Sequence, residues 1–550
     1  MMVVLRLIAR HPIWAINEVV LQILRHMDGP ELVAMACTAR RFRWTAASLL
    51  WQSASDGAIR CLLDIVLDGH GRMEQCFETF QRYAGLVQNV DIRSLGPDHH
   101  HKFHLVESMR PSRRTRPMLP SISSLKVRPT TPGDLGCALS LLHPQLEHLS
   151  LDINMDLADD EIDDNLQQQW NIQIQTFLLR LHEDCPSLVT LKLIPPDGLQ
   201  AFTVDCKRLF SNMKALREYA GDPNTFTVQS ILTLGRLPSL TILRFSDFVS
   251  RGHPWDTEQI TKTAKTPSFS QLRFLYLNQP AKETIALLNY LGSNLVELDV
   301  SIEEEVVSGQ LSRLLKSIAS FHTSLELLHV HLFDVTMENG HRAGWDELSV
   351  LHRCRNLCGI WMNYQLRHGQ FRFSDGHLFH IQQAWPRLVE FEVRWKPKQL
   401  PEYEGGEALF GLDDETQLTI MGLLRMIKAC NSLAYIHLTP LDLSRLPDSL
   451  RGLSTINRSF LLQLEYPHIL SPYHVALLLA HCAPKIDFKI DDPHSDEQTA
   501  ILRASPAGHR VALVTALIQF QKDRSKLLSN PNAFHEIEAP EDLQDLALYD

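Results

Sequence analysis

The sequence predicts an α/β chain built as a stack of short parallel strands alternating with helices. Two observations carry that expectation. A phrase of the form L-x-x-L-x-L recurs along most of the 550 residues, and the segments between its copies have helical periodicity. Good copies are Leu146-Glu-His-Leu149-Ser-Leu151, Leu188-Val-Thr-Leu191-Lys-Leu193 and Leu272-Arg-Phe-Leu275-Tyr-Leu277. Others begin at Leu240, Leu295, Leu325, Leu357, Leu388, Leu433 and Leu461, with weaker copies at Val87, Ile122, Leu216 and Lys485. They make about fourteen units, most of them about 23 to 32 residues apart.

Alternation at the end of each phrase puts apolar residues on one face of a strand. Between phrases, Lys282 to Leu291 aligns Ile285, Leu288 and Leu291, and Ser308 to Phe321 aligns Leu311, Leu314 and Ile318. One strand and one helix cannot bury an apolar face alone, so stacked neighbours must supply the core. The spacing and pattern are those of leucine-rich repeats, and the expectation is a solenoid with strands on its concave face and helices on its convex face. An ordinary α/β domain also alternates strand and helix, but it does not repeat one phrase in register.

In chain order, residues 1–55 read as a small helical head, 56–492 as the solenoid, and 493–550 as a C-terminal helix (His509 to Leu528) that caps it, with an acidic end. Longer spacings mark insertions near 96–120, 152–165 and 396–414, all polar and expected as exposed loops. The head reads as helices over Glu18–Leu24, Glu31–Cys37 and Arg41–Trp51, with a turn at Asp28-Gly29-Pro30. It is too apolar on too many sides to bury everything internally.

Composition narrows the function classes. Hydrophobic residues are 44%, charged residues 21% and the net charge is −11, which argues against a nucleic-acid or anionic-membrane binder. Ten cysteines are too sparse for a disulfide scaffold, no apolar run has the length of a membrane span, and Arg6 interrupts the apolar start. The expected setting is intracellular, in cytoplasm or nucleus.

The head, Ile16-Asn17-Glu18-Val19-Val20-x-x-Ile23-Leu24-x-x-Met27-Asp28, then Leu32, Arg40-Arg41-Phe42 and Leu49-Leu50-Trp51, resembles an F-box. Asn17 stands where the family has Pro, and Phe42 where it has Trp. With the repeats, the chain is similar to the F-box/leucine-rich-repeat proteins. The resemblance implies the substrate-recognition subunit of an SCF (Skp–cullin–F-box) ubiquitin ligase. It implies docking on the Skp adaptor through Ile16, Val19, Val20, Ile23, Leu24, Leu32 and Leu50, with Trp51 closing the surface. Internal packing of the head is the competing reading for each. The alternative function is a repeat scaffold with no ligase role.

Strand positions alternating with the buried leucines should face an unknown protein target: Ile242 and Arg244; Phe274, Tyr276 and Asn278; Glu297 and Asp299; His329 and His331; Trp361 and Asn363; Glu390, Glu392 and Arg394; Tyr435 and His437. A one-residue slip in register would turn them inward.

Chemistry is not expected. Cys185, Cys354, Cys430 and Cys482 each lie three residues before the first position of a phrase, a shared register that fits buried packing. His99-His100-His101 with His104, the pair His329 and His331, the calcium-like Asp152-x-Asn154-x-Asp156 and the basic knot Arg110, Arg113, Arg114, Arg116 each lack what a site needs. No catalytic signature occurs, so no enzyme activity and no cofactor are expected.

Overall fold

The computed structural model describes residues 17–38, 40–67, 73–109, 117–153, 164–194, 206–221, 228–245, 268–292, 294–321, 323–336, 343–368, 371–372, 374–397, 418–438, 446–447, 455–464, 472–483 and 485–490. The chain divides into two compact units, Met1–Asp256 and Thr257–Asp550.

The first unit opens with α1 (Asn17–Arg25), α2 (Gly29–Thr38) and α3 (Arg40–Trp51). The start of α2 is fixed by a reciprocal cap: Glu31 N–H donates to Asp28 Oδ1 (2.9 Å) and Asp28 N–H to Glu31 Oε2 (3.1 Å). Seven parallel strands follow in order: β1 (Ser53–Ser55), β2 (Asn89–Ile92), β3 (Ser124–Val127), β4 (His148–Asp152), β5 (Thr190–Ile194), β6 (Glu218–Gly221) and β7 (Ile242–Phe245). Between them run α4 (Asp56–Leu67), α5 (Met73–Ala84), α6 (Pro97–Ser108), α7 (Pro132–Leu139), α8 (Asp164–Asp184), α9 (Cys206–Ser211) and α10 (Val228–Leu234).

The second unit repeats the plan. Its parallel sheet runs β8 (Phe274–Asn278), β9 (Glu297–Ile302), β11 (Leu327–Thr336), β13 (Gly359–His368), β15 (Glu390–Pro397), β16 (Tyr435–Leu438), β17 (Phe460–Leu464) and β18 (Ile486–Ile490). The short β10 (Val306–Val307) pairs with the end of β11, and β12 (Ala343–Gly344) with β14 (Phe371–Arg372). The helices are α11 (Ala281–Tyr290), α12 (Ser308–Ala319), α13 (Trp345–Ser349), α14 (Asp375–Ala384), α15 (Ile420–Ala429) and α16 (Pro472–Cys482), with a 3₁₀ turn at Val350–Arg353.

One hydrogen-bond rung recurs at the entry to most strands. Two successive N–H groups donate to a single carbonyl of the preceding repeat: Val189 and Thr190 to Glu147, Cys358 and Gly359 to Glu326, Ala434 and Tyr435 to Val389. A tight turn precedes it, in which the first residue of the phrase donates to the carbonyl three residues earlier, as Leu188 does to Cys185 and Leu433 to Cys430. The residue at that earlier position is walled in on all sides. Cys185, Cys354, Cys430 and Cys482 are accordingly buried, and burial pushes their thiols up to about 12, 12, 11 and 11. These are packing groups, protonated at neutral pH.

In most strands the alternation is as expected, with Leu149 and Leu151, Leu298 and Val300, or Ile360 and Met362 buried against the helices, whereas β6, β15 and β16 bury outward positions as well. Burying each such side chain contributes about 1.5–3 kcal/mol. Each unit is thus an all-parallel stack of leucine-rich-repeat type, and three helices precede the strands of the first.

Four expectations need correction. Residues 97–108 are helix, not exposed loop: Phe103 and Val106 form a narrow buried stripe that the surrounding histidines conceal in composition. His100 is half-buried, its Nε2 2.8 Å from the buried Asp134 Oδ1, which also accepts from Leu95 N–H. The copy assigned to Leu461 begins two residues earlier, because Leu461 is in register with Tyr435. In α11 the buried pair is Leu287 and Leu288, whereas Ile285 and Leu291 are half-buried. Finally, β1 lies within the head's assigned span, and its register with β2 puts Trp51 in the position of Val87, the first of a phrase.

The insertion residues 154–163 and 398–414, the basic knot 110–116 and the C-terminal helix at 509–528 lie outside the described residues. So do Asn154 and Asp156 of the calcium-like stretch. Among the described residues no cluster of three or more metal-ligating side chains occurs.

Candidate functional site

The outward strand positions of the second unit line up across the sheet in three rows. The first joins Phe274, Glu297, Leu327, Gly359, Glu390, Tyr435 and Leu461. The second joins Tyr276, Asp299, His329, Trp361, Glu392, His437 and Gln463. The third joins Asn278, Ser301, His331, Asn363 and Arg394. Register thus gathers most of the predicted target-facing residues on one surface. Phe274, Tyr276, His329, His331, Trp361, Asn363 and Tyr435 are half-buried there. Arg244 belongs to the first unit, where its Nε is 3.3 Å from Glu218 Oε1.

At the middle of the surface the imidazole of His329 stacks on the indole of Trp361, with centroids 4.0 Å apart and planes at 23°. Trp361 has room because residue 359 is glycine. A Cβ built on Gly359 would overlap the far edge of the indole and sit 2.9 Å from Leu327 Cδ2. Gly359 shapes this surface, and the repeat reading passed over it. Its signal was available: an isolated glycine in a strand marks a close approach. Burial lowers the pKa of His329 against the opposing pull of Asp299 and Glu297, so this ring is neutral at neutral pH.

Toward β16 the surface closes over a buried polar cluster. Glu392 and His437, both expected to face a target, are buried, with 6% and 0% of their surface exposed. Tyr435 Oη donates to Glu392 Oε2 (2.9 Å), Arg394 Nη2 lies 2.6 Å from Oε1, and His437 Nδ1 lies 3.6 Å from Oε2. Burial by itself would raise the Glu392 carboxyl. His437 and Arg394 outweigh it and hold the group down at about 2. Glu392 and His437 therefore set the shape of the surface and are not free contacts on it. At the other edge Tyr276 Oη donates to Glu297 Oε1 (2.7 Å).

The head gives a different result. Val20, Leu24 and Leu32 are buried with Phe42 and Ala46 in its own core, and Leu50 packs against that cluster. A side chain closed inside its own fold cannot dock a partner, so internal packing accounts for Val20, Leu24 and Leu32, while Leu50 is half-buried. Trp51 is half-buried, its ring 5.7 Å from that of Tyr83. Ile23 is half-buried; Ile16 and the side chain of Val19 lie outside the described residues. Among the described residues of the head, the large apolar side chains left exposed are Val33 (51%) and Trp44 (45%), the latter beneath the guanidinium of Arg82. Neither was anticipated. Both sit where helix pairing, not local pattern, decides exposure.

No family model and no curated protein matches this sequence. Among solved structures, an internalin (inlF) from Listeria monocytogenes str. 4b F2365 is similar at 11% identity and TM-score 0.34, covering 80% of this chain and 95% of that one. A TLR13–ssRNA13 complex is similar at 13% identity and TM-score 0.34, covering 74% of this chain and 52% of that one. No described helix is long and apolar enough to cross a membrane.

Proposed function

We propose that this chain is a non-catalytic protein-interaction scaffold and, within that class, the target-recognition subunit of an SCF-type ubiquitin ligase acting in cytoplasm or nucleus. The observation that carries the interaction reading is the second unit's outward surface. Half-buried Phe274, Tyr276, Trp361 and Tyr435 there are the residue types from which interface hot spots are made. The ligase reading is supported by the F-box resemblance and by three helices at the positions it implies. Its mechanism is proximity: the head holds the Skp adaptor, the repeats hold a target, and linkage raises their effective concentration.

The test is a pull-down with purified Skp adaptor. Val33→Asp with Trp44→Asp is the informative variant, because both side chains are exposed and the head core stays intact. Wild type should bind, and the double variant should lose at least about tenfold in affinity. No binding by wild type favours the scaffold with no ligase role. That second reading is supported by the closure of Val20, Leu24 and Leu32 inside the head and by Trp51 holding a repeat position. Target capture unchanged by Tyr276→Ala and Trp361→Ala in a folded protein would end the interaction reading itself.

A further inference from the structure

We infer that the occupant of the second unit's outward surface is a basic peptide segment, one of whose arginine or lysine side chains packs on the Trp361 indole. The inference rests on that surface being the partner site. It is carried by charge. The stacked rings of His329 and Trp361 are bracketed on both sides by carboxylates, Glu297 and Asp299 on β9, Glu390 and Glu392 on β15.

Adjacent strands are about 4.8 Å apart, so a cation over the rings lies within two strand spacings, about 10 Å, of the strands that carry these carboxylates, comparable with the screening length. Across the three rows described above the counter-charges are Arg394 and His437, both already beside Glu392 at 2.6 and 3.6 Å, so the field at the rings comes from Glu297, Asp299 and Glu390. His329 adds none, since burial keeps it neutral. An indole face flanked by carboxylates is the environment that a guanidinium or ammonium group prefers. An acidic peptide or a nucleic-acid backbone would meet like charge there. Asn363 Oδ1, in the adjoining row, is buried without a hydrogen-bond partner and offers an acceptor to the same cation.

The experiment selects binders from a random linear peptide library displayed on phage, using the full-length chain as bait. Synthetic copies of the selected peptides are then titrated against variants. Arginine- or lysine-rich peptides should be enriched and should weaken with salt. Their affinity should fall about tenfold with Trp361→Ala and several-fold with Glu390→Gln plus Asp299→Asn. Trp361→Phe keeps an aromatic face and should retain most of the binding, which separates loss of the cation site from loss of packing. Lys126→Ala, on the first unit, should change nothing. Selection of acidic or apolar peptides that still require Trp361 would overturn the basic class and leave the surface reading standing. Peptides indifferent to Trp361 and Glu390, or no enrichment, would overturn both.

Discussion

The two units share one strand plan, and their outward positions differ in chemistry. In the first, one row runs Ser55, Asp91, Lys126, Ser150, Lys192, Ala220 and Arg244, and the next Ser53, Asn89, Ser124, His148, Thr190, Glu218 and Ile242. These side chains are mostly small or charged, with no Phe, Tyr or Trp among them, and the ion pairs are open: Arg128–Asp91 at 2.6 Å and Arg244–Glu218 at 3.3 Å, all partly exposed. In the second unit the equivalent rows hold aromatic rings, imidazoles and carboxylates, with a buried ion cluster at one side. A shared strand plan thus leaves the outward positions free to differ, because they contribute little to the core. A surface rich in half-buried rings and buried charge is costly to build unless it is used.

The sharpest way to break that contrast is at the two glutamates. Glu392→Ala leaves Arg394 and His437 without their buried partner and should cost about 3–5 kcal/mol, whereas Glu218→Ala should cost about 0–1 kcal/mol. Denaturant unfolding of both variants checks it; equal losses would mean that the second surface holds no special cluster. Next comes the glycine. Gly359→Ala pushes on the Trp361 ring and Leu327 and should cost about 1–3 kcal/mol, while Ser124→Ala, in the equivalent row of the first unit, should stay within about 0.5 kcal/mol.

A smaller effect is expected from acid. The folded pKa of His329 is lowered, so the unfolded chain binds more protons between that value and about 6.5. Stability from this group is complete above about pH 6.5 and is lost as pH falls below it, and His329→Gln should remove that component from the unfolding profile. Glu392 titrates separately. Its contribution is present above about 4.5 and is lost as pH falls toward about 2. Smallest of all, Lys192→Ala should leave stability unchanged within about 0.5 kcal/mol.

Most of the strand plan was legible from local pattern. The L-x-x-L-x-L phrase specifies a strand and its two faces within six residues, and the cysteines three positions earlier could be read as buried from the same register. What stayed hidden depended on contacts far along the chain. Glu392 is buried because Tyr435, 43 residues later, closes over it. His100 is held by Asp134, 34 residues later, so a histidine run that reads as solvated is part of a packed helix. Leu461 was misplaced by two residues because Phe460-Leu-Leu-Gln-Leu464 offers leucines at competing spacings, and only pairing with β16 selects among them.

By itself, then, the sequence determined the repeat, the helical head and which alternate residues leave the core, since each follows from a period of two or 3.6 residues. The tertiary structure decided how deep each outward side chain lies, which of the head's apolar groups remain open, and that β1 already pairs into the parallel sheet. Those outcomes depend on neighbours supplied by other strands and helices, and no local period records them.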